Sequence, residues 1–393
     1  MRDVIVDYRN VVQDIRERND PSQIALNKLM GLTHQTDFAV GRGGAVRVIQ
    51  GGEFPPGPGF ESLREAYAAF TGDEDVLHFG KRVTAMVSTL NFANAFGNTV
   101  NNLLAKAYQE VDYRVSDIVK SVTSAENFKD LVRSRMRFVG DLEEVPEDAP
   151  YETVSDTADE KYTFAVTTFG GHLIVTRRAV LANNIQAIQR AVEQMARAAA
   201  RTLAKRVWGR VIQNSTYGVD GLAMFHEDHG NLGAAALSGT IAESVAALNA
   251  ARLALFAQVE PGSTERLGLG SGPLLLVVPI ELEESARKIN MAPFMDASLT
   301  PNPWYQRFGA ASERIFTNPL LTDSDDWYMF DISGRAGILE LAFLMGQQMP
   351  QVILSDDPRR NPNLSQDRVV YKMRHEYECA VEDYRGGFKS VVG

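Results

Sequence analysis

A single cysteine, Cys379, stands in the 393 residues. One thiol can form neither an intrachain disulfide nor a thiolate zinc site, so a disulfide scaffold and a cysteine-ligated metal module are excluded. Long apolar runs are missing too. The longest purely apolar stretch, Leu274–Ile280, falls far short of the ~20 residues a membrane helix needs. Residues 1–10 carry Arg2, Asp3, Asp7 and Arg9 and no apolar core. That is not a secretory signal, and it points to a reducing, soluble compartment reached without export. There is no excess of positive charge: 40 Lys+Arg against 50 Asp+Glu leave a formal charge of −10. This is the wrong sign for a chain that wraps nucleic acid by neutralising phosphates. What is present is ordinary for a folded protein: 45% hydrophobic, 23% charged and 9% aromatic residues. At about 150 residues per domain, the length predicts two or three domains.

Along the chain, Val4, Val11, Val12 and Ile15 recur near helical spacing until Asp20-Pro21 breaks the run. Residues 41–59, with Gly41, Gly43, Gly44, Gly51, Gly52 and the Pro55–Gly59 cluster, read as a linker. No Gly-Lys-Ser/Thr follows Gly41–Gly44, so it is not a phosphate loop. Residues 61–135 read as several helices, one capped by Ser62 with Glu65 and another over Leu90–Tyr108. Residues 141–160 hold Asp141, Glu143, Glu144, Glu147, Asp148, Glu152, Asp156, Asp159 and Glu160, and no Lys or Arg. Tyr162, Phe164 and Val166 then alternate as one face of a strand, interrupted at Gly170-Gly171 and resumed over Leu173–Thr176. The segment reads as a two-stranded arm, out along Met136–Val145 and back along Tyr162–Thr176, with an acidic tip. An isolated hairpin has too little core to stand alone, so the arm must rest on something else.

Asn184–Gln213 is the strongest helix. Ile185, Ile188, Val192, Met195, Ala199, Leu203, Val207 and Val211 form one apolar stripe, Asn183 is a suitable N-cap, and the length predicts a rod of roughly 45 Å. Its other side carries Arg190, Arg197, Arg201, Lys205, Arg206 and Arg210 against a single Glu193. Arg197, Arg201 and Lys205 stack like charges at a four-residue spacing, which costs a few tenths of a kcal/mol per pair. Such a face needs free solvent or an acidic partner. Beyond it lie a helix over Ile241–Gln258, a buried strand over Leu274–Val278, a helix that Pro279 starts, and strands at Arg314–Phe316 and Trp327–Ile332. From Arg368 to Glu382 the alternation predicts a long strand with one buried and one wet face, partnered by Leu339–Met345. At 3.3 Å per residue this strand spans roughly 45–50 Å. With the rod, it predicts an elongated subunit.

Little here suggests catalysis. His226-Glu227-Asp228-His229 could offer a metal His226, Asp228 and His229, as in a hydrolase. The spacing is not HExxH, however, and the segment reads as a structured turn whose side chains bond local backbone. His375 and Cys379 fall on the apolar strand face, as a core imidazole and an inert thiol. There is no nucleophile elbow. No cofactor, metal or catalytic residue is assigned.

The order of elements, with Leu222–His226, His229–Leu232, Pro273–Pro279, Asp326–Asp331, Ile338–Gly346 with Pro350, and Asp383–Gly387, resembles the major capsid protein of tailed bacteriophages, an α+β chain of the Hong Kong 97 type. It is most similar to the Mu-like subgroup and to capsids encoded behind a prohead protease; Ser62–Asp73 carries part of that likeness. The resemblance covers about residues 61–393. It implies a non-enzymatic subunit that builds pentamers and hexamers of an icosahedral virion shell around double-stranded DNA. The shell would be assembled in the bacterial cytoplasm with portal, scaffold or protease and decoration proteins as partners, without a membrane. It divides the chain into an extension (1–60), a helical N-terminal arm (61–135), the extended loop (136–178), the peripheral domain with its spine helix (179–222), the axial domain (223–335) and the C-terminal peripheral strands (336–393). A bacterial nanocompartment shell of the same fold is the alternative. No protease sequence precedes the capsid part, and residues 1–60 fit a scaffold-like segment, a retained arm or a cleaved piece. Some relatives crosslink a loop lysine to an asparagine. Lys161 with Asn361 or Asn363 are the residues available for it here, and the pairing is not expected.

One expectation comes from charge alone. An acidic arm laid across the basic helix face of a neighbouring copy relieves the like-charge cost of both. The nine acids of the arm and the six bases of the helix are therefore expected to be inter-subunit contacts.

Overall fold

The computed structural model describes residues 21–30, 32, 34–40, 46–53, 60, 62, 65–66, 69, 98–108, 113–135, 144–145, 160–176, 185–237, 239–261, 264–354 and 368–392. The strands described are, in chain order, β1 (His34–Val40), β2 (Val46–Glu53), β3 (Val119–Ala125), β4 (Leu131–Arg135), β5 (Glu160–Phe164), β6 (Thr167–Thr176), β7 (Leu232–Gly233), β8 (Leu274–Val278), β9 (Ile315–Thr317), β10 (Trp327–Asp331), β11 (Leu339–Leu344), β12 (Gln351–Leu354), β13 (Arg368–Val381) and β14 (Gly387–Ser390). With helices over Pro21–Leu29, 98–108, Ile185–Ile212, Ile241–Ala257 and Ile280–Met291, the class is α+β. The chain divides into two compact units.

The first unit comprises the described residues of Met1–Asp112, Thr168–Thr202 and Gln347–Glu376. Its core joins Leu26 and Met30, Val100, Leu103 and Leu104, Leu173 of β6, Ile188, Val192, Ala196 and Ala199 of the long helix, and Tyr371 and Met373 of β13. Pro21 opens its helix instead of ending one, because the missing N–H is not needed in a first turn. Ser62 caps as expected, its hydroxyl accepting the Glu65 N–H at 3.0 Å. The expected linker is corrected in part: residues 46–53 are β2, paired antiparallel with β1. Gly41–Gly44 and Pro55–Gly59 lie outside the described residues. β6 runs unbroken through Gly170-Gly171 and pairs with β13. A Cβ on Gly170 would stand 2.6 Å from the Met373 carbonyl oxygen, so that glycine permits close approach of the two backbones.

The second unit comprises Tyr113–Thr167, Leu203–Gly346 and Tyr377–Gly393. Its larger sheet runs β7-β14-β10-β8-β9. β8, with sequence LLLVV, is buried at every position, and β10 is too. That is what a continuous apolar run in a sheet covered on both faces requires. Leu248, Ala251 and Leu255 of the Ile241–Ala257 helix and Leu282, Ala286 and Ile289 of the Ile280–Met291 helix pack into the same core. Thr240 and Glu243 form a reciprocal capping box at the first of these. Within the stretch 61–135, expected to be helical, Val119–Ala125 and Leu131–Arg135 are strands. β3 lies parallel to β11, and β4 pairs antiparallel with β5. The predicted β11–β13 pairing is present, antiparallel over Leu339–Phe343 and Tyr377–Val381.

The long helix is one 28-residue segment. No helix among the described residues is long and apolar enough to cross a membrane.

Candidate functional site

The arm and the basic helix face are the surfaces singled out by charge. Of the arm, Asp141, Glu143, Glu147, Asp148, Glu152, Asp156 and Asp159 lie outside the described residues, as does most of the expected outgoing strand Met136–Val145. Glu144 is exposed. The foot of the hairpin is well defined, with Leu131 opposite Phe164 and Arg135 opposite Glu160. Tyr162, Phe164 and Val166 face inward, as their alternation predicts, and pack with Ala125 and Ala342.

Glu160 belongs to this foot. Its carboxylate accepts the Tyr217 hydroxyl at 3.1 Å and an Arg385 N–H at 3.3 Å. Arg385 also meets Asp383 at 3.0 Å and lies over the Tyr384 ring at 4.6 Å. The last acid of the predicted arm thus has partners in its own chain.

A buried carboxylate, Glu340 of β11, was not singled out by sequence. It accepts Arg133 Nε of β4 at 2.8 Å, Thr123 Oγ1 of β3 at 2.7 Å and the Tyr162 hydroxyl of β5 at 2.6 Å. Burial, and then the hydrogen bond to Glu340, pushes the Tyr162 phenol well above its ordinary range. Three strands are therefore tied to one side chain. The available signal was a lone acid inside an otherwise apolar strand, Leu339-Glu340-Leu341-Ala342-Phe343-Leu344.

On the long helix, Arg190, Arg197, Arg201 and Lys205 are exposed. Arg206 and Arg210 turn to their own chain. Arg206 grips Glu378 with two N–H groups at 2.7 Å each. Arg210 reaches the same carboxylate at 3.0 Å and the Cys379 carbonyl at 2.9 Å. Glu378 also accepts Thr167 Oγ1 at 3.2 Å. Burial pushes the Glu378 carboxyl up, but the hydrogen bonds from Arg206, the Cys379 N–H and Arg210 outweigh it and hold it below the usual range. This corrects the expected wet face of β13, since Glu378 is buried. The two guanidinium groups cover it there, and that compensation lets a carboxylate sit inside. The opposite face is buried from Tyr371 to Val381, as the alternation predicts.

His375 and Cys379 are core residues. His375 Nε2 lies 3.2 Å from the Gln348 carbonyl, and burial lowers its pKa to about 4. Burial pushes the Cys379 thiol up to about 12, which makes it a poor nucleophile. His226 and His229 occupy a turn, as read from sequence. His226 Nδ1 accepts the Asp228 N–H at 3.1 Å. His229 lies between Asp220 at 2.8 Å and the Met224 carbonyl at 3.2 Å, stacked on Tyr384 at 3.7 Å. Both His229 nitrogens are thereby engaged, and the pair is not arranged around a shared ligand position. Among the described residues, Asp323, Asp325 and Asp326 bring three carboxylates within 4.8 Å of one another. Asp326 is paired with Lys389 at 2.8 Å.

The profile of the family described as phage capsid protein matches residues 159–390, from the hairpin's returning strand to β14. No curated protein matches. Among solved structures, the chain is similar to a virus-like particle from Pyrococcus furiosus at 10% identity, with 75% of this chain and 99% of that chain covered and a TM-score of 0.43. It is similar to the capsid of a native GTA particle at 13% identity, with 72% and 90% covered and a TM-score of 0.44. A structure from Mycobacterium phage Adephagia shows 14% identity, 72% and 89% coverage and a TM-score of 0.42. The family profile spans well over half of the sequence, and the chain belongs to the phage capsid protein family.

Proposed function

We propose that this chain is the major capsid protein of a tailed bacteriophage. It self-assembles into pentamers and hexamers of an icosahedral shell that encloses double-stranded DNA. The family match over residues 159–390 carries this reading. In it, the hairpin on β4 and β5 is the extended loop and the Ile185–Ile212 helix is the spine. Residues 223–335 form the axial domain, residues 179–222 and 336–393 the peripheral domain, and residues 1–60 an extension ahead of the 61–135 arm. The exposed Arg190, Arg197, Arg201 and Lys205 receive the acidic loop of a neighbour. Portal, scaffold or protease, and decoration proteins of the same phage complete the particle in the host cytoplasm.

Negative-stain microscopy of the full chain, expressed with and without its scaffold partner, tests the reading. Closed shells or capsomer rings are expected. A chain that stays monomeric in both conditions, at concentrations well above micromolar, overturns it.

A further inference from the structure

The second unit contains an uncompensated arginine cluster. It surrounds the loop Gly268-Leu269-Gly270-Ser271-Gly272, in which Gly268 and Gly270 adopt positive φ of 66° and 76°. Arg252 Nε donates to the Gly270 carbonyl at 2.8 Å, and Arg307 Nη2 donates to the same oxygen at 3.3 Å. Arg314 Nη2 donates to the Arg307 carbonyl at 2.6 Å. The Arg252 and Arg307 guanidinium groups thus meet at one oxygen, Arg314 reaches the Arg307 backbone, and Arg307 also lies over the Trp304 ring at 5.5 Å; all three arginines are half-buried.

Each group has five N–H donors, and among the described residues each spends one, on a backbone carbonyl. None meets a carboxylate. The Nε atoms of Arg307 and Arg314 are fully buried without a partner. The nearby acid, Asp331, is already committed, to the Gly270 N–H at 2.7 Å and to the Ser333 N–H at 2.8 Å and hydroxyl. Burial, then Arg252 and Arg314, lower the pKa of Arg307, as expected where like charges meet without a counter-charge. Elsewhere in this unit arginines find acids readily, as Arg206, Arg210 and Arg385 do.

We propose that Arg252, Arg307 and Arg314 form a binding site for a phosphate-type oxyanion. Three positive charges are better balanced by a doubly charged tetrahedral anion than by one carboxylate, and the planar guanidinium fork matches its oxygens. The same chemistry is offered by free inorganic phosphate and by a nucleic-acid phosphodiester. The site does not depend on the shell reading and is tested on the unassembled full chain.

Calorimetric titration with inorganic phosphate at constant ionic strength is expected to show saturable one-site binding, with acetate at least about tenfold weaker. Arg307→Gln with Arg314→Gln should abolish the heat, and the milder Arg314→Lys, which keeps the charge and loses the fork, should weaken it. No saturable phosphate binding by the natural chain overturns the proposal whether or not the variants fold. So does equal binding of acetate and phosphate. A short single-stranded DNA separates the sources. Displacement of the DNA by phosphate supports a phosphodiester occupant, phosphate binding without DNA binding supports the free anion, and DNA binding that survives in the double variant rules the phosphodiester out.

Discussion

Two buried side chains set how individual residues respond to acid. Glu378 is held by Arg206 and Arg210 with its carboxyl below the ordinary value. Its contribution to stability is therefore complete above that value, 4.5, and is lost as pH falls below it through the folded value. Arg206 is itself exposed and Arg210 stays on the carboxylate when it is removed, so Arg206→Ala should destabilise by about 1 kcal/mol at neutral pH. Urea midpoints of the two proteins should differ at pH 7 and converge toward pH 3. His375 behaves differently because its folded pKa of about 4 lies below the ordinary 6.5. Above 6.5 the ring is neutral in both states and titration adds nothing. As pH falls below 6.5 the unfolded chain binds a proton that the folded one refuses, and stability drops until about pH 4, by about 3 kcal/mol in all. His375→Gln should flatten the decline between pH 7 and 5. An unchanged slope would place its origin elsewhere.

At the scale of elements, Glu340 is the bolt of the hairpin foot, joining β3, β4 and β5 to β11. Glu340→Gln keeps the shape and removes the charge. Amides of β4 and β5 should then exchange hydrogen about tenfold faster, while those of β8 and β10 stay unchanged; uniform acceleration would mean that Glu340 serves the whole unit. The elements that were legible in sequence are those whose pattern is long and self-contained. The eight-residue apolar stripe of the 185–212 helix, the LLLVV run of β8 and the alternation of β13 each state their periodicity locally. β3 carries no local sign of a strand because its partner β11 lies more than 200 residues away and pairs in parallel, a geometry with no turn between the strands to announce it. β2 was hidden by Gly51-Gly52 within it. The destination of Arg206 and Arg210 was illegible for a related reason. Their helical spacing sets them roughly 140–180° from Arg197, on the side of the apolar stripe, but that the acid they meet there is Glu378 is decided by a strand 168–172 residues on.

At the scale of the whole molecule, the proposed contact between copies is a matter of charge. With a formal charge of −10, copies repel on average, and the proposed match of the acidic loop with the basic helix face opposes that repulsion. Each exposed pair contributes about 0–1 kcal/mol, but a closed shell repeats the contact at every subunit. Arg197→Glu with Arg201→Glu should therefore abolish particles in a light-scattering assay, and raising salt from about 0.1 M to 1 M should slow assembly as the screening length shrinks from about 10 Å to 3 Å. Normal particle yield from the double variant would show that the acidic loop rests elsewhere. The sheet order holds a last consequence. β14 is inserted between β7 and β10 and does not lie at an edge. A nascent polypeptide cannot close that sheet until residues 387–390 have left the ribosome. A chain cut ahead of residues 387–390 would keep a gap between β7 and β10, with the backbone hydrogen-bonding groups of both strands left open to proteases.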